Sequence, residues 1–134
     1  MNNHILQTDN FKLSIQPDIY EDCINTPENT ILHVCVENSG FSATTNLDID
    51  IKEFAKFSQD LKSLYDKLSG EAIIKESYNM VQYIKFSADK TGHILVDGYL
   101  KNMDNELTFT SSFEQTYLQS FTNELNNSYN KYLD

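Results

Sequence analysis

The spacing of apolar residues changes along this chain, and that change limits the possible folds more than any other feature. Apolar residues first recur at every second position, which predicts three strands. The three alternating stretches are "FKLSIQ", "ILHVCVE" and "FSATTNL". From Ile51 to Leu68 the spacing becomes helical, and Asp50 with Glu53 fits a capping box at the start of the helix. Because no glycine-rich loop separates strand from helix, we expect a corner there and no phosphate site.

Four more strands and a second helix follow the first helix. The strands are predicted at about 71–76, 80–87, 92–101 and 105–113, and the helix at about 115–132. Short turns join most of the strands, so neighbouring strands should be antiparallel. We therefore predict an α+β fold in the order β-β-β-α-β-β-β-β-α, with a single antiparallel sheet of six or seven strands and both helices packed on one face. The helix residues predicted to be buried are Leu61, Leu64, Phe121 and Leu125.

The 134 residues are expected to form a single domain spanning 1–134, with a hydrophobic content of 40% to fill its core. Residues 1–10 are expected to be flexible. Because Pro17 should end the first strand, residues 18–30 are predicted to be an irregular acidic loop. The start of the chain does not resemble a signal peptide, and no apolar run is long enough to span a membrane. We therefore expect a soluble, cytoplasmic protein.

Negative charge dominates the composition. The formal net charge is −10, the chain has no arginine, and residues 1–50 carry eight acidic residues and one lysine, a charge of −7. Such a surface repels nucleic-acid phosphates, so nucleic-acid binding is not expected, and it attracts basic partners. The alternative is that the charge serves solubility alone.

Catalytic and metal-binding motifs are not evident, so we expect no catalytic residues, no cofactor and no bound metal. The sequence lacks the usual nucleotide, hydrolase and zinc-protease signatures. Cys23, His33 and Cys35 could seed a zinc site, but the spacing typical of zinc ligands is missing. Free thiols are the better interpretation of the two cysteines.

Several stretches resemble a known family. They are "GFSATTNLDIDIKEFAKFSQDLKSLYDKLSGEAIIKE", "GHILVDGYL" and "FEQTYLQSF", with residues 69–72 and 115–118 the most specific parts. Together they resemble the WapI family, immunity proteins paired with wall-associated contact-dependent toxins of Gram-positive bacteria. The resemblance covers residues 29–133. It departs at Ile31, where members often have tryptophan.

The resemblance implies a non-catalytic immunity protein that neutralises a cognate toxin by direct binding. The acidic charge then predicts a basic toxin domain as partner, with a nuclease as one candidate class. No membrane partner is expected, and homo-oligomers remain open. The alternatives are a general protein-interaction or scaffold module and, with less support, a small enzyme whose site is not recognised.

Two surfaces are candidates for binding the partner. One is the acidic loop, and the other is a partly apolar patch of tyrosines on the open face of the sheet, a composition common at protein contacts. The predicted partner-binding residues are Asp18, Glu21, Asp22, Glu28, Tyr83, His93, Leu95 and Tyr99.

Overall fold

The structure, a computed structural model, describes residues 2–77 and 81–133. The first half contains β1 (His4–Gln7), β2 (Phe11–Ile19), β3 (Thr30–Asn38), β4 (Phe41–Ile49) and α1 (Ile51–Lys67). The second half contains β5 (Glu71–Lys75), β6 (Tyr83–Ala88), β7 (His93–Asn102), β8 (Asn105–Glu114) and α2 (Gln119–Tyr129). Four strands followed by a helix therefore occur twice, although the sequence shows no repeat.

The prediction of a single sheet of six or seven strands is wrong. The strands form two four-stranded antiparallel sheets, in the orders β1-β2-β3-β4 and β5-β6-β7-β8. Each sheet pairs strands that follow one another in sequence, because antiparallel neighbours need only a short turn between them. Helix α1 separates β4 from β5, and these two strands do not pair. Apolar alternation identifies the buried face of a strand, but it does not identify the partner of a strand across a helix.

The N-terminal segment contains a strand that the sequence did not predict. Residues 1–10 were expected to be flexible, but His4–Gln7 forms β1 and pairs with β2. Leu6 and His4 are both buried. His4 Nε2 lies 2.6 Å from the Tyr129 hydroxyl, and His4 Nδ1 is paired with the Glu124 carboxylate. These hydrogen bonds satisfy the polar ring of His4, which faces inward. A strand can therefore form here although one of its two buried residues is polar.

Strand β2 continues through Pro17 to Ile19, so proline does not end it as predicted. Strand β1 pairs with β2 only as far as Ile15, and Pro17 therefore has a strand neighbour on one side only, in β3. Proline is tolerated where a strand lacks a second partner, because no ladder hydrogen bond is lost there. The acidic loop consequently shortens to residues 20–29, and Glu21–Cys23 forms a 3-10 turn within it.

The inner faces of both sheets and the two helices share one core. Phe11 of the first sheet stacks on Phe109 and Phe113 of the second, with ring centroids 6.0 and 6.3 Å apart. Helix α1 packs on β5 and on α2, and α2 also contacts β1. Leu61, Leu64, Phe121 and Leu125 are buried, as predicted. The helices therefore pack between elements of both sheets and not on one face of a single sheet.

The helix ends follow local chemistry. The Asp50 carboxylate accepts a hydrogen bond from Lys52 N at 2.9 Å, which confirms Asp50 as the N-cap of α1. The helix ends at Lys67, and Leu68 adopts the left-handed conformation with φ of 52°. Helix α2 is shorter than predicted, because 3-10 turns flank it at Gln115–Leu118 and Asn130–Tyr132. The predicted strand 80–87 begins outside the described residues, and β6 begins at Tyr83.

The outer edge of β4 joins the two sheets. Alternate carbonyl groups of this edge point away from β3 and accept hydrogen bonds from the second half of the chain. The bonds run from Asn102 Nδ2 to Thr44 O (2.8 Å), from Gln82 Nε2 to Asn46 O (3.2 Å) and from Ser77 N to Asp48 O (3.1 Å). An unpaired strand edge can template pairing with another chain. Here these bonds cover the edge and fix the turn between β7 and β8 close to the start of β4.

Candidate functional site

The acidic loop, residues 20–29, is held by one buried asparagine. The Asn29 amide nitrogen donates to Ile24 O and Thr26 O, both at 3.0 Å, and to Asp50 Oδ1 at 3.1 Å. The Asn29 carbonyl oxygen accepts from Ile51 N at 2.8 Å. The loop is therefore hydrogen-bonded to the start of α1, and its carboxylates lie on an ordered frame.

The predicted acidic residues surround this frame. Glu21, Asp22 and Glu28 are exposed, and Asp18 is half-buried on β2. Glu21 Oε1 accepts a hydrogen bond of 3.0 Å from the Tyr132 hydroxyl. Burial and this bond together raise the pKa of Tyr132. Glu21 therefore supports the C-terminal turn, and Asp22 and Glu28 are the other exposed carboxylates of the loop.

Tyr83 and Tyr99 lie opposite each other on β6 and β7, on the outer face of the second sheet. The Tyr83 hydroxyl donates to Asp97 Oδ2 at 3.1 Å, and the Tyr99 hydroxyl donates to Glu106 Oε1 at 2.6 Å. Each bond is the main reason that the pKa of its tyrosine is raised. The structure thus brings the two predicted tyrosines together as a pair, with a carboxylate at each hydroxyl.

The other two residues of the predicted patch lie apart from the tyrosine pair. Leu95 is on β7 opposite Ser87, and the cross-strand pair Lys85–Asp97 lies between it and the tyrosines. His93 begins β7, and its Nδ1 lies 2.9 Å from the Thr91 hydroxyl. The expected patch therefore divides into the tyrosine pair and a separate position at Leu95.

A groove between β4 and the β7–β8 hairpin was not predicted. Phe41, the first apolar residue of the alternating stretch "FSATTNL", is 69% exposed. Met103, in the β7–β8 turn, is 85% exposed. Both line a groove of about 550 Å³. Apolar alternation in this stretch offered no signal for the groove, which forms between β4 and the distant β7–β8 hairpin.

The histidine and cysteine side chains considered for zinc have other neighbours. His33 Nδ1 lies 2.8 Å from Asn46 Oδ1, and the Thr44 hydroxyl donates to Cys35 Sγ at 3.7 Å. Cys23 is an exposed free thiol. Within residues 2–77 and 81–133, no group of three or more His, Cys, Asp or Glu side chains is arranged to hold a metal ion. Neither helix is long and apolar enough to cross a membrane, as far as the described ranges extend.

Two solved structures share this fold. WHY3 from Arabidopsis thaliana superimposes with a TM-score of 0.55 at 7% identity, covering 99% of this chain and 86% of that one. The MRP1/MRP2 structure from Trypanosoma brucei has a TM-score of 0.50 at 10% identity, covering 98% and 82%. At these identities the likeness shows the fold alone. No curated protein sequence matches this chain.

The family comparison covers nearly the whole chain. The model of the immunity protein WapI-like family matches residues 4–133, a range that contains all eight strands and both helices. The match thus extends beyond the stretches whose residues resembled the family, and it includes β1. This chain therefore belongs to the immunity protein WapI-like family.

Proposed function

We propose that this chain binds a cognate toxin directly, as a non-catalytic cytoplasmic immunity protein, and thereby blocks the toxin's activity. The family match over residues 4–133 carries the proposal, because membership implies a toxin partner. A protein that neutralises by binding needs a stable scaffold and a complementary surface, but no reaction centre. The covered edge of β4 and the shared core supply the scaffold.

The charge favours a basic toxin domain, and among basic toxins a nuclease. An enzyme that cleaves nucleic acid needs positive charge where it meets phosphates, and a chain with net charge −10 is complementary to that surface. The exposed acidic side chains of the loop project from a frame fixed by Asn29. Carboxylates in such an arrangement can take the place of phosphates without losing much conformational freedom on binding.

The loop and the tyrosine pair supply different parts of the binding free energy. Exposed ion pairs contribute little individually, about 0 to 1 kcal/mol, although they accelerate encounter. Buried aromatic side chains carry a larger share of affinity at interfaces. Tyr83 and Tyr99 present two such rings side by side, each held by its hydroxyl bond to a carboxylate. We infer that both surfaces contact the toxin.

We predict that the gene directly upstream encodes a large secreted toxin, and the test uses the C-terminal domain of that protein. This domain is expressed in a bacterial host, with and without the present chain, and growth is measured together with copurification. We expect growth to stop without the chain and to recover with it, and the two proteins to copurify. An unrelated acidic protein of similar size and net charge is the control for charge alone. Toxicity that persists despite good expression of this chain would contradict the proposal.

A further inference from the structure

The two most exposed large apolar side chains of the described residues lie on one groove. Phe41 begins β4, and Met103 is in the turn between β7 and β8. Between them the groove is lined by Ala43, Leu100 and Leu107, whose side chains face the interior of the two sheets. The groove is therefore an apolar opening where the inner faces of the sheets separate. Its volume of about 550 Å³ is in the range of pockets that hold a ligand or a large side chain.

Met103 combines an exposed side chain with an unfavourable backbone conformation. Met103 has φ of 58°, in the left-handed region that glycine and asparagine adopt more readily than methionine. The turn "NMDN" contains asparagine and aspartate, yet methionine takes the left-handed position. Folding alone gains nothing from a strained residue whose side chain is in solvent. Strained residues of this kind are often retained where they contact a ligand or partner.

Acidic side chains predominate on the rim. Glu106 lines the groove, and Asp104 is in the same turn as Met103. Both are exposed, and Lys101 is the lysine on the groove wall. Together with the net charge of −10, this rim favours an occupant whose apolar side chain is flanked by positive charge.

The groove is also continuous with the tyrosine pair. Glu106 on the groove rim accepts the hydrogen bond from the Tyr99 hydroxyl. A partner that covers Tyr99 would therefore reach the rim of the groove with its next residues. Large flexible apolar side chains such as methionine adapt their shape to a contacting surface.

We propose that this groove receives an apolar side chain of the toxin, flanked by basic residues, between Phe41 and Met103. The inference rests on the proposed function and names the contact that holds the complex together. Fast encounter comes from the acidic surface, while removal of apolar area from water in the groove slows dissociation.

The experiment compares three variants with the natural chain, and the probe is the purified C-terminal domain of the protein encoded upstream. Phe41→Ser removes one wall of the groove, at a side chain that contributes little to the core because it is exposed. Met103→Gly removes the other and also relieves the left-handed strain, so its melting temperature should not fall. Ile5→Ser, at a 45% exposed residue on β1, is the matched control for loss of exposed apolar area.

We expect Phe41→Ser and Met103→Gly each to weaken binding at least about tenfold, mainly through faster dissociation, and Ile5→Ser to change it less than about twofold. If the natural chain binds and both groove variants bind equally well, the groove inference is wrong and the proposed function stands. If the natural chain neither binds nor protects, both fail. Sedimentation of the free chain provides a further check: a dimer that Phe41→Ser converts to monomer would assign the groove to a second copy of this chain and overturn the proposal.

Discussion

Gly98 shows how closely a single residue is constrained in the second sheet. An added Cβ would lie 2.6 Å from Phe109 Cζ and 2.7 Å from the backbone oxygen of Tyr83. Neither distance is possible for a real Cβ, and the Tyr83 oxygen belongs to a paired strand that cannot easily move. Gly98 therefore permits the Phe109 ring to cover β7 directly.

We predict that Gly98→Ala lowers the free energy of unfolding by about 1 to 3 kcal/mol, because one methyl group overpacks this contact. Urea denaturation followed by circular dichroism measures the change. Ser112→Ala, on the exposed side of β8, is the control and should change stability by less than about half a kcal/mol. A similarly small loss for Gly98→Ala would mean that the Phe109 ring moves aside freely.

Tyr129 links stability to alkaline pH. Burial raises the pKa of Tyr129 to about 12, above the value of about 10 in an unfolded chain. As pH rises through this window, the unfolded state loses the proton first, so the free energy of unfolding falls. The stability from this group is present below about pH 10 and is lost towards pH 12.

Tyr129→Phe is predicted to be less stable than the natural chain at pH 8, by about 1 to 3 kcal/mol, because His4 loses a buried hydrogen-bond partner. Phenylalanine has no proton to release, so the difference should narrow between about pH 10 and 11.5. Chemical denaturation of both proteins at these pH values measures the gap. A gap that stays constant with pH would show that burial of this hydroxyl does not control its titration.

At the scale of elements, one asparagine connects the acidic loop, β3 and α1. Asn29 is fully buried, and its amide serves carbonyl groups of the loop as well as the first backbone N–H of α1. The Thr30 hydroxyl also donates to its oxygen, at 2.8 Å. The loop therefore depends on the same residue that supports the start of the helix.

Asn29→Ala should lower the free energy of unfolding by about 2 kcal/mol, because the buried Ile51 N–H and the buried Thr30 hydroxyl lose their side-chain partner. Amide hydrogen exchange should become faster in residues 20–29 and in the first turn of α1. Asn46→Ala, an exposed asparagine whose side chain meets His33, is the control and should have little effect. Exchange that accelerates equally throughout the chain would contradict a local role for Asn29.

At the scale of the whole molecule, charge and aromatic surface should act on different rate constants. The loop belongs to the first sheet and the tyrosine pair to the second, so each can be changed without the other. Since Glu21 supports Tyr132, Asp22 and Glu28 are the better positions for changing charge alone.

The double variant Asp22→Lys, Glu28→Lys is predicted to slow association with the upstream-encoded domain. The decrease in the association rate constant should become smaller as the salt concentration rises. Tyr99→Ala should mainly accelerate dissociation, with little dependence on salt. Surface plasmon resonance at low and high salt separates the two rate constants. Equal effects of both variants on association would contradict this division between surfaces.

Local pattern was sufficient for features that depend on neighbouring residues. The helix start at Asp50 and the buried helix positions Leu64 and Leu125 follow from spacing of two to four residues. Strand β1 was not predicted, because its inward-facing residue His4 is polar and finds its hydrogen-bond partner in Tyr129, 125 residues away along the chain. No local pattern can supply a partner at that distance.

The sequence by itself determined the α+β class, both helices, the acidic charge and the resemblance to the immunity family. Only the tertiary structure decided that the strands form two sheets, since the edge of β4 is covered by Gln82 and Asn102 and not by another strand. The tertiary structure also decided that Phe41 and Met103, 62 positions apart, line the same groove. The physical reason is that alternation records which side of a strand avoids water, whereas sheet pairing and surface grooves arise from contacts between segments distant in sequence.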